Sequence, residues 1–115
     1  MAIQIFGKNK CFDTKKAERW FKERGIPFQR IDLAQRMFSP GELRSVIQAL
    51  GGVDALLDPR AKNAPLFRAL ALEEDKIEHL LSDPGLIRTP IVRCGKQAAC
   101  GDCPEAWQRF AGKNP

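Results

Sequence analysis

Short stretches of apolar residues in strand-like patterns flank a middle region whose apolar positions follow helical spacing. "AIQIF" at 2–6 is a β-rich run, and "GKNKC" after it is a loop ending where helical spacing begins. Ala17, Trp20 and Phe21 stand at i, i+3 and i+4, with Gly25 placed to end the turn, so a helix is predicted from about Phe12 to Arg24. "PFQRIDL" at 27–33 alternates as a strand does, completing a β-α-β unit.

"SPGE" at 39–42 has the form of a capping box, with Ser39 before the helix, Pro40 at its first position and Glu42 three residues after the cap. Leu43, Val46, Ile47 and Leu50 form the apolar stripe, and Gly51-Gly52 ends it. Two more helices are predicted near 64–71 and 74–82, with Leu66, Leu70, Ile77, Leu80 and Leu81 as core. "IVR" and "KQAA" then read as strands joined by a Cys94-Gly95 hairpin turn, a register that pairs Thr89 with Cys100. A last helix, "CPEAWQRFAG", carries Trp107 and Phe110 on one face. The predicted order is β-α-β, three helices, β-β-α.

A chain of 115 residues fits one α/β domain with a single modest core. No stretch approaches the roughly 20 apolar residues that span a bilayer. "MAIQIFGKNK" lacks the basic flank, apolar run and small-residue cleavage site of a secretion leader, so a cytoplasmic protein is expected. In that compartment four cysteines are reduced, catalytic or metal-bound more often than disulfide-bonded. The formal net charge of +5 suggests an anionic partner: nucleic acid, an oxyanion or an anionic thiol. Basic residues alternate with acidic ones along most of the chain, which argues against nucleic acid, and the densest cluster, Lys8, Lys10, Lys15 and Lys16, surrounds Cys11.

Cys11 is open to three readings: a buried filler, a metal ligand or a nucleophile. The nucleophile is the thiolate, so something must lower the thiol pKa from its ordinary value of about 8.5. The turn from strand to helix offers free backbone amides and the positive end of the helix dipole. The loop residues Lys8, Asn9 and Lys10 add positive charge or polar contacts, and the Thr14 hydroxyl stands one turn on. The same loop could hold an oxyanion. A four-thiolate zinc site of Cys11, Cys94, Cys100 and Cys103 is disfavoured because the hairpin carries Cys94 to its tip, and no metal is expected. His79, within "IEHLL", is expected at the surface or boundary and receives no role.

The segments "FGKNKCFDTKKAERWFKERGIPFQRIDL", "LLDPRAKNAPLFRAL", "LIRTPIV" and "GKQAACGDCPEAW", in that order, resemble the ArsC/Spx-like, arsenate-reductase-related family of the thioredoxin superfamily. The resemblance implies a thioredoxin-like fold with a mixed four-stranded sheet and a helical insertion at about 39–84. It implies Cys11 as a single nucleophile, since Thr14 stands where dithiol members have a second cysteine. Arg60 matches an L-L-x-x-R spacing, although arsenate reductases proper put arginine where this chain has Asp58. Arg88 is the remaining basic residue before Pro90, Thr89 replaces an arginine, and Gln97 falls on the last oxyanion-binding arginine. Thr89-Pro90 is implied to be cis and to dock a thiol substrate.

The function implied is a monomeric, glutaredoxin-like or arsenate-reductase-related thiol oxidoreductase without bound cofactor. Its substrate is a small or protein thiol, with glutathione as co-substrate or glutaredoxin as partner. Cys100, and after it Cys103, are candidate resolving thiols. The alternative is a Spx-type regulatory module that contacts RNA polymerase without turnover.

Overall fold

The computed structural model of the protein describes residues 2–112. In chain order it contains β1 (Ile3–Gly7), α1 (Phe12–Glu23), β2 (Phe28–Asp32), α2 (Pro40–Leu50), α3 (Ala64–Ala69), α4 (Glu73–Ser82), β3 (Ile91–Cys94), β4 (Gln97–Cys100) and α5 (Pro104–Gly112). The strands form one mixed sheet of order β2-β1-β3-β4, parallel between β1 and β2 and antiparallel elsewhere. The predicted order of elements is the observed one.

Side-chain alternation along β1 divides the core between two faces of the sheet. Ile3 and Ile5 pack with Ala17 and Phe21 of α1 and with Trp107 and Phe110 of α5. Phe6 points into the opposite layer, built on Leu43, Val46, Phe67, Ile77 and Leu80 of α2, α3 and α4. Phe38 supports it there, its ring centroid 4.2 Å from that of Phe6. α1 stops where expected, with Arg24 as cap and Gly25 at φ +67°. The α2 capping box forms in full: Glu42 N donates to Ser39 Oγ at 3.2 Å and Ser39 N to Glu42 Oε1 at 2.9 Å. Such a cap contributes about 1 kcal/mol.

The insertion departs from the prediction in detail. Leu66 is 56% exposed, and Ala64 and Phe67 turn inward in its place. Residue 66 lies about 200° around the helix from residue 64 at 3.6 residues per turn, so the two cannot share a face. Leu70, just beyond the end of α3, is only partly buried. Short 3-10 turns at Val53–Leu56 and Pro84–Leu86 were not predicted, being too short to show a period.

The β3–β4 register also differs. The turn is Gly95-Lys96, with Gly95 at φ +61°, and Cys94 is the last residue of β3, facing Gln97. Positive φ is needed at the first turn position, and glycine supplies it there. Cys100 therefore pairs with Ile91 and not with Thr89. Cys94 is no hairpin tip: it is 2% exposed and faces Ile3 across the sheet.

Candidate functional site

β1 delivers the chain to the sheet end at Gly7, and a turn closed by Cys11 N donating to Lys8 O (3.2 Å) brings Cys11 to the start of α1. Cys11 takes extended angles (φ −87°, ψ 116°), and its carbonyl accepts from Lys15 N, which makes it the N-cap. The opposite wall comes from two distant segments laid side by side. Asp58 N donates to Leu86 O, Arg88 N to Leu56 O, and Leu57 bridges Ile87. This pairing carries Asp58, Pro59 and Arg60 of the insertion to the edge of a cleft of about 780 Å³. Lys8, Lys10, Cys11, Arg88 and Thr89 also line it, and Phe12, 77% exposed, stands at its mouth. The Thr89-Pro90 peptide bond is cis, as the resemblance implied.

Thr89 Oγ1 donates to Cys11 Sγ at 3.0 Å, while the thiol faces the Thr89 carbonyl at 3.6 Å. Partial burial pushes the Cys11 pKa up. The hydroxyls of Thr14 and Thr89 and the amides of Thr14 and Asp13 outweigh it and hold the thiol below the ordinary cysteine value. The two hydroxyls act differently. Thr14 Oγ1 is fully buried beside the sulfur and makes no hydrogen bond of good geometry, so it is a donor in reserve for the anion. Thr89 already donates. Its hydroxyl had no place in the sequence reading, where Thr89 served only to dock a substrate.

The basic residues divide in the same way. Lys8 Nζ donates to Ile87 O at 2.7 Å and to Gly85 O at 3.4 Å, tying the nucleophile loop to the segment before Pro90. Desolvation lowers its pKa, against the raising influence of Asp58, Cys11 and Asp83. Lys8 is thus a tether that also contributes charge. Asn9 and Lys10 are exposed. The Arg60 side chain is 89% exposed, with Nε 3.7 Å from Asp58 Oδ1, and it borders the cleft without touching Cys11. Arg88 lies against Gly101, where an added methyl group would come 2.9 Å from the guanidinium.

Cys100 Sγ contacts the Arg88 carbonyl at 3.3 Å, one carbonyl away from the Cys11 contact. Burial pushes its pKa up to about 11, leaving a neutral thiol at physiological pH. Cys103 packs with the α1/α5 layer while Cys100 packs with the other layer, so the two are divided between the faces of the sheet. Gln97, paired with Cys94, sits at the sheet end away from Cys11. Its identity therefore says nothing about oxyanion binding. Of the three departures from arsenate reductases proper, Asp58 and Thr89 are the two that border the cleft.

The ArsC family model matches residues 6–110. The Global transcriptional regulator Spx 2 of Oceanobacillus iheyensis is 27% identical over 108 residues, covering 88% of this chain and 77% of the regulator. The Global transcriptional regulator Spx of Listeria innocua is 24% identical, with 94% and 86% covered. Among solved structures, the arsenate reductase from Vibrio cholerae superposes with a TM-score of 0.84 at 24% identity, over 96% of this chain and 98% of that one. At that identity the likeness establishes the thioredoxin-like fold.

Proposed function

The chain belongs to the ArsC family, and we propose that within it the protein works as a glutaredoxin-like thiol oxidoreductase with Cys11 as its single nucleophile. The observation that carries this reading is the 3.0 Å hydrogen bond from Thr89 to the thiol of a residue that stands at the N-cap position of a helix. The thiolate of Cys11 attacks one sulfur of a substrate disulfide, forms a mixed disulfide and expels the other sulfur as thiolate, which takes a proton from water. A thiolate of glutathione then attacks the mixed disulfide, restoring the Cys11 anion and carrying away the bound half as a new disulfide. No bound cofactor is required. Thr89 and Thr14 stabilise the Cys11 anion both as attacking and as leaving group, and Arg60, Arg88 and Lys10 favour an anionic thiol in the cleft.

The test is glutathione-dependent reduction of the mixed disulfide between glutathione and 2-mercaptoethanol, with arsenate as a parallel substrate. Turnover lost in Cys11→Ser and kept in Cys100→Ser supports the reading, and turnover that survives Cys11→Ser rejects it.

A regulatory binding module is the second reading, favoured by the names of the curated relatives, which are global transcriptional regulators. Thr14 stands where the dithiol members have their second cysteine, so a two-cysteine switch at this position is not built. A Cys11 pKa of about 8.5 or above together with no turnover would favour this module over the enzyme.

A further inference from the structure

The cleft at Cys11 adjoins a second one of about 580 Å³, which shares Pro59 and Arg88 with the first and adds Arg68 and Lys76. Across both, Lys8, Lys10, Arg60, Arg68, Lys76 and Arg88 face three carboxylates, Asp13, Asp54 and Asp58. Several of these charges are already engaged. Lys76 pairs with Asp54 at 2.9 Å, Arg60 lies beside Asp58, and Lys8 serves backbone carbonyls. Lys10, Arg68 and Arg88 make no ion pair among the described residues, and all three are exposed. Arg88 at the junction is also pre-positioned, its guanidinium against Gly101 and its amide bonded to Leu56 O.

We propose that the substrate thiol is carried on a polypeptide with acidic residues on one side of its cysteine. The acidic arm lies along the groove from Arg88 to Arg68 while the sulfur reaches Cys11. This rests on the thiol-oxidoreductase reading and names its substrate class. The first cleft alone is already the size that takes a small ligand, so a tripeptide thiol leaves the Arg68 end empty. Nucleic acid carries no thiol, and Phe12 is the one aromatic residue lining the two clefts, against the series of stacking platforms that single strands use. Each exposed charge contact is worth about 1.5- to 5-fold, so Arg88 and Arg68 together give on the order of tenfold, weakened by salt.

The experiment measures the stoichiometric first step, which needs no turnover. Single-cysteine peptides are activated as mixed disulfides with 2-nitro-5-thiobenzoate. Cys11 attacks the peptide sulfur, forms the protein–peptide disulfide and releases the coloured thiolate, with Cys11→Ser as background. The peptides carry four Glu before the cysteine, four Glu after it, or Gln in the same places. The expected result is about a tenfold faster reaction for one Glu peptide than for its Gln counterpart at low salt, falling below about twofold in 0.5 M NaCl. R68E should bring the Glu-to-Gln ratio close to one, and R44E, outside the groove, should leave the ratio intact. Equal rates for Glu and Gln peptides in both orders, or a ratio that R68E does not move, overturns the inference while leaving the oxidoreductase reading in place. A single-stranded oligonucleotide of equal charge that blocks the reaction at lower concentration than the acidic peptide also overturns it. Failure of Cys11 to react with any peptide removes both.

Discussion

A methyl group added at Gly7 would lie 2.2 Å from Cγ2 and 2.7 Å from Oγ1 of Thr14. The last residue of β1 is thus in contact with the side chain of the third residue of α1, and only a residue without Cβ permits it. That contact seats the Thr14 hydroxyl beside Cys11, so a strand-end glycine outside the cleft sets the chemistry within it.

Gly7→Ala is expected to destabilise the protein by about 1–3 kcal/mol through overpacking, and to displace Thr14 and raise the Cys11 pKa. Urea midpoints give the first effect and the pH dependence of Cys11 alkylation the second. A destabilised variant with an unmoved alkylation profile would show that Thr14 does not act on the sulfur.

Thr89→Val removes the direct donor to Cys11. Hydrogen bonds to charged groups are worth about 1.5–3 kcal/mol, so alkylation of Cys11 at pH 7 should slow by about tenfold or more, with the maximal rate at high pH little changed. An equal slowing at every pH would point to altered access and not to altered ionisation.

Cys11 and Cys100 should affect stability with opposite dependence on pH. The folded state depresses the Cys11 pKa, so the stability it contributes is present above the unfolded value and is lost as pH falls through the folded one. Cys100 has a folded pKa raised to about 11, so between about 9 and 11 the unfolded chain has released a proton that the folded protein keeps. Stability due to Cys100 therefore falls as pH rises through that window. Urea titrations at pH 8 and 10.5 should show wild type losing ground to Cys100→Ser and holding or gaining against Cys11→Ser. A Cys100→Ser difference that does not change with pH would contradict the burial argument.

Limiting iodoacetamide near pH 7 should label Cys11 first and Cys94 and Cys100 last, read by peptide mapping. With mild peroxide and glutathione, the main product should be a Cys11–glutathione adduct, because a neutral Cys100 thiol attacks slowly. A dominant Cys11–Cys100 peptide would establish the resolving role expected from the sequence.

The elements and their order were legible because each carries a local signature: alternation in β2, the 39–42 capping box, and Trp107 with Phe110 on one face. Cys11 was legible for the same reason, since a strand-to-helix turn in a basic loop is a local pattern. What escaped depended on through-space contacts. The Gly95-Lys96 turn displaced the hairpin register by one position in each strand, which moved Cys100 off Thr89 and onto Ile91. Lys8 counts as a charge near sulfur in the sequence, yet its ammonium is bonded to Ile87 O, a carbonyl 79 residues away. The hydroxyl of Thr89 and the bare Cα of Gly7 act across similar separations, and no spacing rule reaches them.

β1 is hydrogen-bonded on both sides and buried on both faces, with Ile3, Ile5 and Phe6 fully sealed from solvent. A strand so placed exchanges its amide hydrogens mainly when the whole molecule opens. Cys11 is joined to that strand through Gly7 and Thr14, while its sulfur still borders an open cleft. The thiol is thus placed to report cooperative unfolding: while Thr89 keeps its hydrogen bond to the sulfur, the heightened reactivity at neutral pH should persist through local breathing elsewhere and be lost at the global transition.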